Sequence, residues 1–270
     1  MRTITPDPIS LTTHHLHLGF RPTDTVLSSG TGFIYERGGI TYLVTNWHNV
    51  TGRSPLDGKC LSDTLAVPDM LSTLFRSKDN PGACCREYLP LYSDEDMQVP
   101  IWLCHPIHGN KVDVVAIPLP LAICDRYQVF PINHIRFQTS FDTRVADDAF
   151  VVGYPFADVT HLQLPIWKRA SVASEPDVDL EQLPKLLIDT ATRSGLSGSP
   201  VVMQRVGIHG KTSEKLTGSE IIGQIRNFIG VYSGRIGADE SRAQLGVVWK
   251  ARVIDEIIDG ASVKSEEPRG

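Results

Sequence analysis

Gly32-Phe-Ile-Tyr35, the pair Gly38-Gly39 and Ile40-Thr-Tyr-Leu-Val-Thr45 together decide the fold class of this sequence. Two runs rich in β-branched and aromatic residues flank adjacent glycines, and that combination suits the tight turn of a β-hairpin. The pattern recurs along the chain. Val112-Asp-Val-Val-Ala-Ile117 reads as a strand ended by Pro118 and Pro120, and Ala149-Phe-Val-Val152 leads into the turn Gly153-Tyr-Pro155. Leu186-Leu-Ile188, Pro200-Val-Val-Met203, Phe228-Ile-Gly-Val-Tyr232 and Leu245-Gly-Val-Val-Trp249 continue the series. Short strands broken by frequent turns predict an all-β sandwich or barrel. One helix is expected near the end. Val253, Ile254, Ile257 and Ile258 fall on one helical face, with Gly260 as its stop. Residues 53–108 and 204–226 are rich in turn formers and read as loop insertions, where function varies.

The chain has 270 residues, enough for one large domain or two smaller ones with a substantial core. Hydrophobic residues make up 41% and charged residues 21%, a balance that excludes a disordered chain. The net charge of −5 argues against a broad nucleic-acid footprint. Five cysteines show no CxxC spacing, and the adjacent Cys84 and Cys85 are poorly placed to bridge each other. His14-His15-x-His17 and His105-x-x-His108 lack a partnering Cys or carboxylate cluster, so no metal and no cofactor are expected. No secretory segment and no apolar run of membrane-spanning length is legible. The expectation is a reduced, cytoplasmic protein without a nucleic-acid or membrane partner.

Three segments carry chemistry. Ser194-Gly-Leu-Ser-Gly-Ser-Pro200 surrounds Ser197 with small residues between two strands. Glycines at 195 and 198 permit backbone shapes that aim successive amides at one point, as a tetrahedral oxyanion requires. Tyr42-Leu-Val-Thr-Asn-Trp-His48 puts a histidine at the end of a strand. A serine hydroxyl is a weak nucleophile, and a neutral imidazole is a suitable base for it. The third member must be a carboxylate that orients the imidazole. Fifteen aspartates lie between His48 and Ser197, so order alone does not choose among them. Asp113 stands out because it sits within an apolar strand, where an unpartnered carboxylate is costly.

Together these segments resemble the chymotrypsin-like serine peptidases, in the order histidine, aspartate, serine. Gly30-Thr-Gly-Phe33 with Leu43-Val-Thr-Asn-Trp-His48 looks like that family's "GxGF…(V/L)TxxH" hairpin. Asp113-Val-Val-Ala-Ile117 looks like its "D-φ-A-φ" strand, and Val152-Gly-Tyr-Pro155 resembles the "GxP" turn of HtrA-like members. Gly195-Leu-Ser-Gly-Ser-Pro200 resembles "GxSG(G/S)P", and Phe228–Gly234 resembles the strand that binds substrate backbone. The resemblance spans about residues 28–255. An α/β-hydrolase, by contrast, would place its histidine last.

The resemblance implies two antiparallel six-stranded β-barrels with a C-terminal helix. The first is expected at 10–125 and carries His48 and Asp113. The second is expected at 126–260 and carries Ser197. It also implies a serine endopeptidase acting through an acyl-enzyme on a protein or peptide substrate. Ser197 would be the nucleophile, His48 the base and Asp113 its orienter, with the Gly195 and Ser197 amides as oxyanion hole. Tyr232, Ser233 and Gly234 would pair with an extended substrate. Ala191 would floor the specificity pocket, with Gly234 and Gly246 as walls, leaving it open to an apolar side chain. Arg193 and Arg235 flank that pocket and would suit an acidic one instead. The chain also departs from its relatives. Leu196 replaces the aspartate that zymogens carry before the nucleophile, so no proteolytic activation is expected. No PDZ module is legible after residue 255. The expected enzyme is regulated or activated by a protein partner. The alternative is a catalytically weak or inactive protease-like module that holds a peptide.

Overall fold

The computed structural model describes residues 5–21, 25–80, 82–137, 141–155, 163–191, 194–209, 221–235 and 244–266. Most of them form two antiparallel sheets. The hairpin that decides the class is present as expected. Strand β2 (Val26–Arg37) pairs with β3 (Ile40–Thr45), and Arg37 faces Ile40 across the two glycines. Gly38 and Gly39 have φ of +60° and +76°, the paired left-handed geometry of a two-residue turn.

Strands β1 (Thr13–Gly19), β4 (Met70–Ser77), β5 (Cys84–Pro90) and β6 (Val115–Pro118) complete the first sheet in the order β5-β4-β1-β2-β3-β6. A two-residue strand, β7 (Tyr127–Gln128), pairs with β4 and makes the sheet seven-stranded. No ladder joins β5 to β6 among the described residues. Isolated contacts span that gap instead: Tyr92 bridges Pro100, and Leu103 exchanges backbone hydrogen bonds with Ala116. The second sheet is a closed six-stranded barrel. It comprises β8 (Asp148–Gly153), β9 (Ile166–Val172), β10 (Lys185–Asp189), β11 (Pro200–His209), β12 (Ile221–Arg235) and β13 (Leu245–Lys250).

Both stretches expected as loop insertions are largely strand. β4 and β5 lie within 53–108, and β11 and β12 run through 204–226 as one long hairpin. The β4 signal was an alternation, with Leu71, Thr73 and Phe75 buried, that polar neighbours obscured. In the outer hairpin the β-branched residues point outward, with Val206 and Ile222 more than 70% exposed. Burial therefore gave no guide there.

The chain ends lock the halves together. Short helix α1 (Pro8–Thr12) puts Ile9 against Val152 and Val202 of the second sheet. The terminal helix α4 (Arg252–Glu266) packs Val253, Ile254, Ile257 and Ile258 against Phe33, Val44 and Ala116 of the first. This helix runs past Gly260, the expected stop. A Cβ at Gly260 would lie 2.5 Å from the Pro106 ring, so this glycine permits close packing rather than ending the helix. Two further short helices occur, α2 (Trp47–Thr51) and α3 (Leu121–Arg126).

Candidate active site

His48 and Asp113 are brought together by the ends of β3 and β6. β3 stops at Thr45, and α2 begins at once with Asn46 as its N-cap, which carries His48 back over the sheet. The Asn46 side chain donates to the Asp113 carbonyl at 2.6 Å. The His48 amide donates to Asp113 Oδ1 at 2.9 Å, and His48 Nδ1 lies 2.6 Å from Oδ2. Asp113 is 1% exposed. The strand expected from Val112 begins only at Val115, so Asp113 sits just before β6 rather than inside it. Its backbone carbonyl is taken by Asn46 instead of a sheet neighbour.

Burial alone would lower the His48 pKa, but the charge of Asp113 and its hydrogen bond overcome that and raise it above the usual imidazole value. Asp113 Oδ2 also accepts a short hydrogen bond from the Ser233 hydroxyl. Ser233 reaches it because β12 is irregular there. The register with β13 passes from Tyr232 to Gly234, leaving Ser233 as an extra residue turned toward the first sheet. The resemblance placed Ser233 among substrate contacts; its hydroxyl is engaged with Asp113.

The serine turn is pinned to the first sheet through its backbone. Thr31 donates its amide to the Ser197 carbonyl at 2.8 Å and its hydroxyl to the Gly195 carbonyl at 2.8 Å. Asn49 Nδ2, on α2 beside His48, donates to the Ser197 carbonyl at 3.1 Å and to Thr45 Oγ1 at 3.0 Å. The Thr45 hydroxyl in turn donates to the Thr31 carbonyl. Gly195 and Gly198 have φ of +94° and +86°, a region that side chains disfavour. A Cβ on Gly195 would lie 2.3 Å from the Tyr154 carbonyl oxygen, and one on Gly198 2.0 Å from that of Thr31. Among the described residues, no acceptor takes the amides of Gly195 and Ser197.

His48, Gly195 and Ser197 line one cavity of about 430 Å³, which Leu61, Asp63 and Pro68 wall on the far side. Among the described residues, no hydrogen bond joins the Ser197 hydroxyl to His48.

The expected specificity pocket is not open. Tyr232 is 1% exposed within the core of the second barrel. Its ring lies against Gly246, where a Cβ would stand 2.6 Å from Tyr232 Cε2. The side chain thus fills the space that Gly246 leaves, beside Ile188 and Val248. Ala191 is exposed, Gly234 is half-buried with φ of +113°, and Arg193 lies outside the described residues.

Four supporting residues were not singled out from sequence: Thr31, Asn46, Asn49 and, in its actual role, Ser233. Asn49 alone left a signal, since it replaces the small or aliphatic residue that usually follows the histidine in the family it resembles. His105 Nε2 lies 2.9 Å from Glu256 Oε2, while Nδ1 accepts from the amides of Ile107 and His108. That histidine tethers α4.

No protein-family model matches the chain, and no curated protein matches it. Solved structures do. The serine endoprotease from Yersinia pestis aligns at 11% identity over 95% of this chain and 67% of its own, with a TM-score of 0.50. The HtrA-type protease AlgW, solved with a tripeptide, aligns at 14% identity over 95% of this chain, with a TM-score of 0.53. This chain spans 62% of the AlgW chain's length. The chain carries the two-sheet, chymotrypsin-like fold of the HtrA-type serine proteases.

Proposed function

We propose that this chain is a serine endopeptidase that cleaves peptide bonds through an acyl-enzyme. The observation that carries this reading is the buried Asp113–His48 pair opening onto the cavity that Ser197 lines. In the mechanism, Ser197 Oγ attacks the peptide carbonyl and His48 Nε2 accepts its proton. Asp113 holds Nδ1–H, fixing the tautomer and stabilising the imidazolium. The oxyanion is received by the Gly195 and Ser197 amides, each such donor contributing about 10²–10³ in rate. Collapse of the tetrahedral intermediate breaks the C–N bond, and His48 returns the proton to the leaving amine. Water then repeats the sequence on the acyl-serine. The substrate runs extended along residues 231–234 as an added strand. The halves at 10–125 and 126–260 act as one unit around this cleft.

Tyr232 closes the pocket that would hold the residue before the cleaved bond, so a small side chain fits there. The segment at Leu61–Pro68 walls the catalytic cavity, and Ser197 Oγ does not engage His48. Both favour a regulated enzyme, in which substrate or a protein partner completes the serine–histidine contact. The same two observations favour the second reading, a peptide-holding module with weak or no turnover. All five cysteines are free, which suits a reducing compartment such as the cytoplasm. No described helix is long and apolar enough to cross a membrane.

A fluorophosphonate probe tests the assignment. The intact protein should label, and Ser197→Ala should not. Labelling that persists in Ser197→Ala would refute the nucleophile. Peptide binding without any labelling of the intact protein would favour the module.

A further inference from the structure

We propose that a cleft on the first sheet, away from His48 and Ser197, binds a small phosphate-bearing anion. The cleft has a volume of about 230 Å³. Its polar walls are His15 and His17 of β1, Arg76 of β4, Cys84 and Arg86 of β5, and Tyr154 from the second half. It continues into a second cavity of about 360 Å³ that shares His17 and Arg86. Among the described residues, neither cavity is lined by an Asp or Glu.

That charge pattern runs against the rest of the molecule, whose net charge is −5. Elsewhere Arg37, Arg169, Arg205 and Arg252 each hold a carboxylate. Arg86 is fixed by uncharged partners instead. Its Nη1 lies 2.9 Å from His17 Nδ1 and 3.1 Å from Ser72 Oγ. As a guanidinium can only donate, His17 accepts through Nδ1 and carries its proton on Nε2. These contacts hold the fork in place without cancelling its charge. Arg76 enters from the neighbouring strand, with Nη1 4.0 Å from Cys84 Sγ.

Two guanidiniums with imidazoles beside them present many donors and a concentrated positive field to one small volume. A tetrahedral phosphate accepts through all its oxygens and matches the planar fork of arginine. The volume is below the ~300–1,000 Å³ typical of drug-sized ligands, so the phosphate itself would be the greater part of the occupant. The anion would rest near Tyr154, whose ring stacks on His15 at 5.1 Å. The Tyr154 amide donates to Thr31 Oγ1, the hydroxyl that holds the Gly195 carbonyl.

The test uses the full chain with inorganic phosphate and with pyrophosphate, at constant ionic strength. Calorimetry should give saturable binding of one anion per chain. Binding should weaken at least about tenfold in Arg86→Gln and in Arg76→Gln, the loss of one charge-assisted contact. Alkylation read by mass spectrometry locates the site. Cys84 lines the cleft, whereas the adjacent exposed Cys85 does not. At ten times the dissociation constant, Cys84 should react about tenfold more slowly while Cys85 is unchanged. Absence of saturable binding by both anions overturns the proposal. So does binding of full strength in both arginine variants, or equal protection of the two cysteines.

Discussion

Ser233 donates its hydroxyl to Asp113 Oδ2, the same carboxylate oxygen that faces His48 Nδ1. One oxygen thus serves both the base and a residue from the opposite sheet. The contact depends on the irregularity between Tyr232 and Gly234, which turns Ser233 out of the β12 alternation. Ser233→Ala leaves a buried carboxylate short of a donor. Hydrogen bonds to charged groups contribute about 1.5–3 kcal/mol, so kcat/KM should fall roughly tenfold or more. Steady-state kinetics on a peptide substrate reads this, with a melting curve to confirm folding. An unchanged kcat/KM would mean that His48 is oriented by Asp113 without this support.

The pH dependence follows from the raised pKa of His48. Only the neutral imidazole can accept the Ser197 proton. Activity should therefore rise with pH along a limb whose midpoint lies above the ordinary value of about 6.5. Stability runs the other way. The folded-state pKa is raised, so protonated His48 stabilises the fold fully below the unfolded value and less as pH climbs through the folded one. Asp113→Asn removes the charge that opposes desolvation, so the limb should move down in pH. The rate should also fall about 10⁴-fold, as expected when the tautomer is lost. A limb that stays in place in Asp113→Asn would show that another group sets the His48 pKa.

Gly198 is held against β2. An alanine there would put its Cβ 2.0 Å from the Thr31 carbonyl oxygen at φ of +86°. The left-handed backbone alone costs about 1–2 kcal/mol, and relieving the clash must shift Thr31, which anchors the serine turn. Gly198→Ala should lose fluorophosphonate reactivity by far more than it loses stability. Full reactivity at a lowered melting midpoint would instead make the glycine a packing residue only.

The parts of the site legible in sequence were those that share a strand end with apolar neighbours. His48 follows the Leu43–Thr45 run, and Ser197 sits between glycines whose conformations are indeed left-handed. The hairpin at Gly38-Gly39 was legible for the same local reason. Ser233, Thr31 and Asn46 were not, because their roles arise from contacts 67 to 164 residues apart in sequence. A bulge is invisible until two strands are in register. Gly246 misled differently. Its missing side chain reads as an open wall, yet Tyr232 occupies the space. Gly260 looked like a helix stop, but Pro106 approaches it from a distant loop.

Tyr232 offers a test of specificity. Its ring lies where the open pocket was expected, so the protein should prefer a small residue before the cleaved bond. Tyr232→Val removes the ring and keeps a buried apolar side chain. Preference in a peptide panel should then move from small residues toward larger apolar ones. The substitution also leaves a cavity, and a stability loss of up to about 3–5 kcal/mol sets its upper cost. An unaltered preference in a folded variant would separate Tyr232 from substrate selection.

The last expectation concerns the terminal helix. Ile257 is fully buried between α4 and the first sheet, in a cluster with Phe33, Val44 and Ala116. Ala116 lies in β6, the strand that follows Asp113, and Val44 lies in β3, the strand that precedes His48. Ile257→Ala should destabilise the protein by about 2–5 kcal/mol through lost burial and a residual cavity. For a chain of this size that lowers the melting midpoint by roughly 2–4 °C per kcal/mol. The His48–Asp113 contact does not involve the helix directly, so kcat well below the new midpoint should hold. A fall in kcat at low temperature, with the melting midpoint unmoved, would mean instead that α4 acts on the geometry of β3 and β6 rather than on their stability.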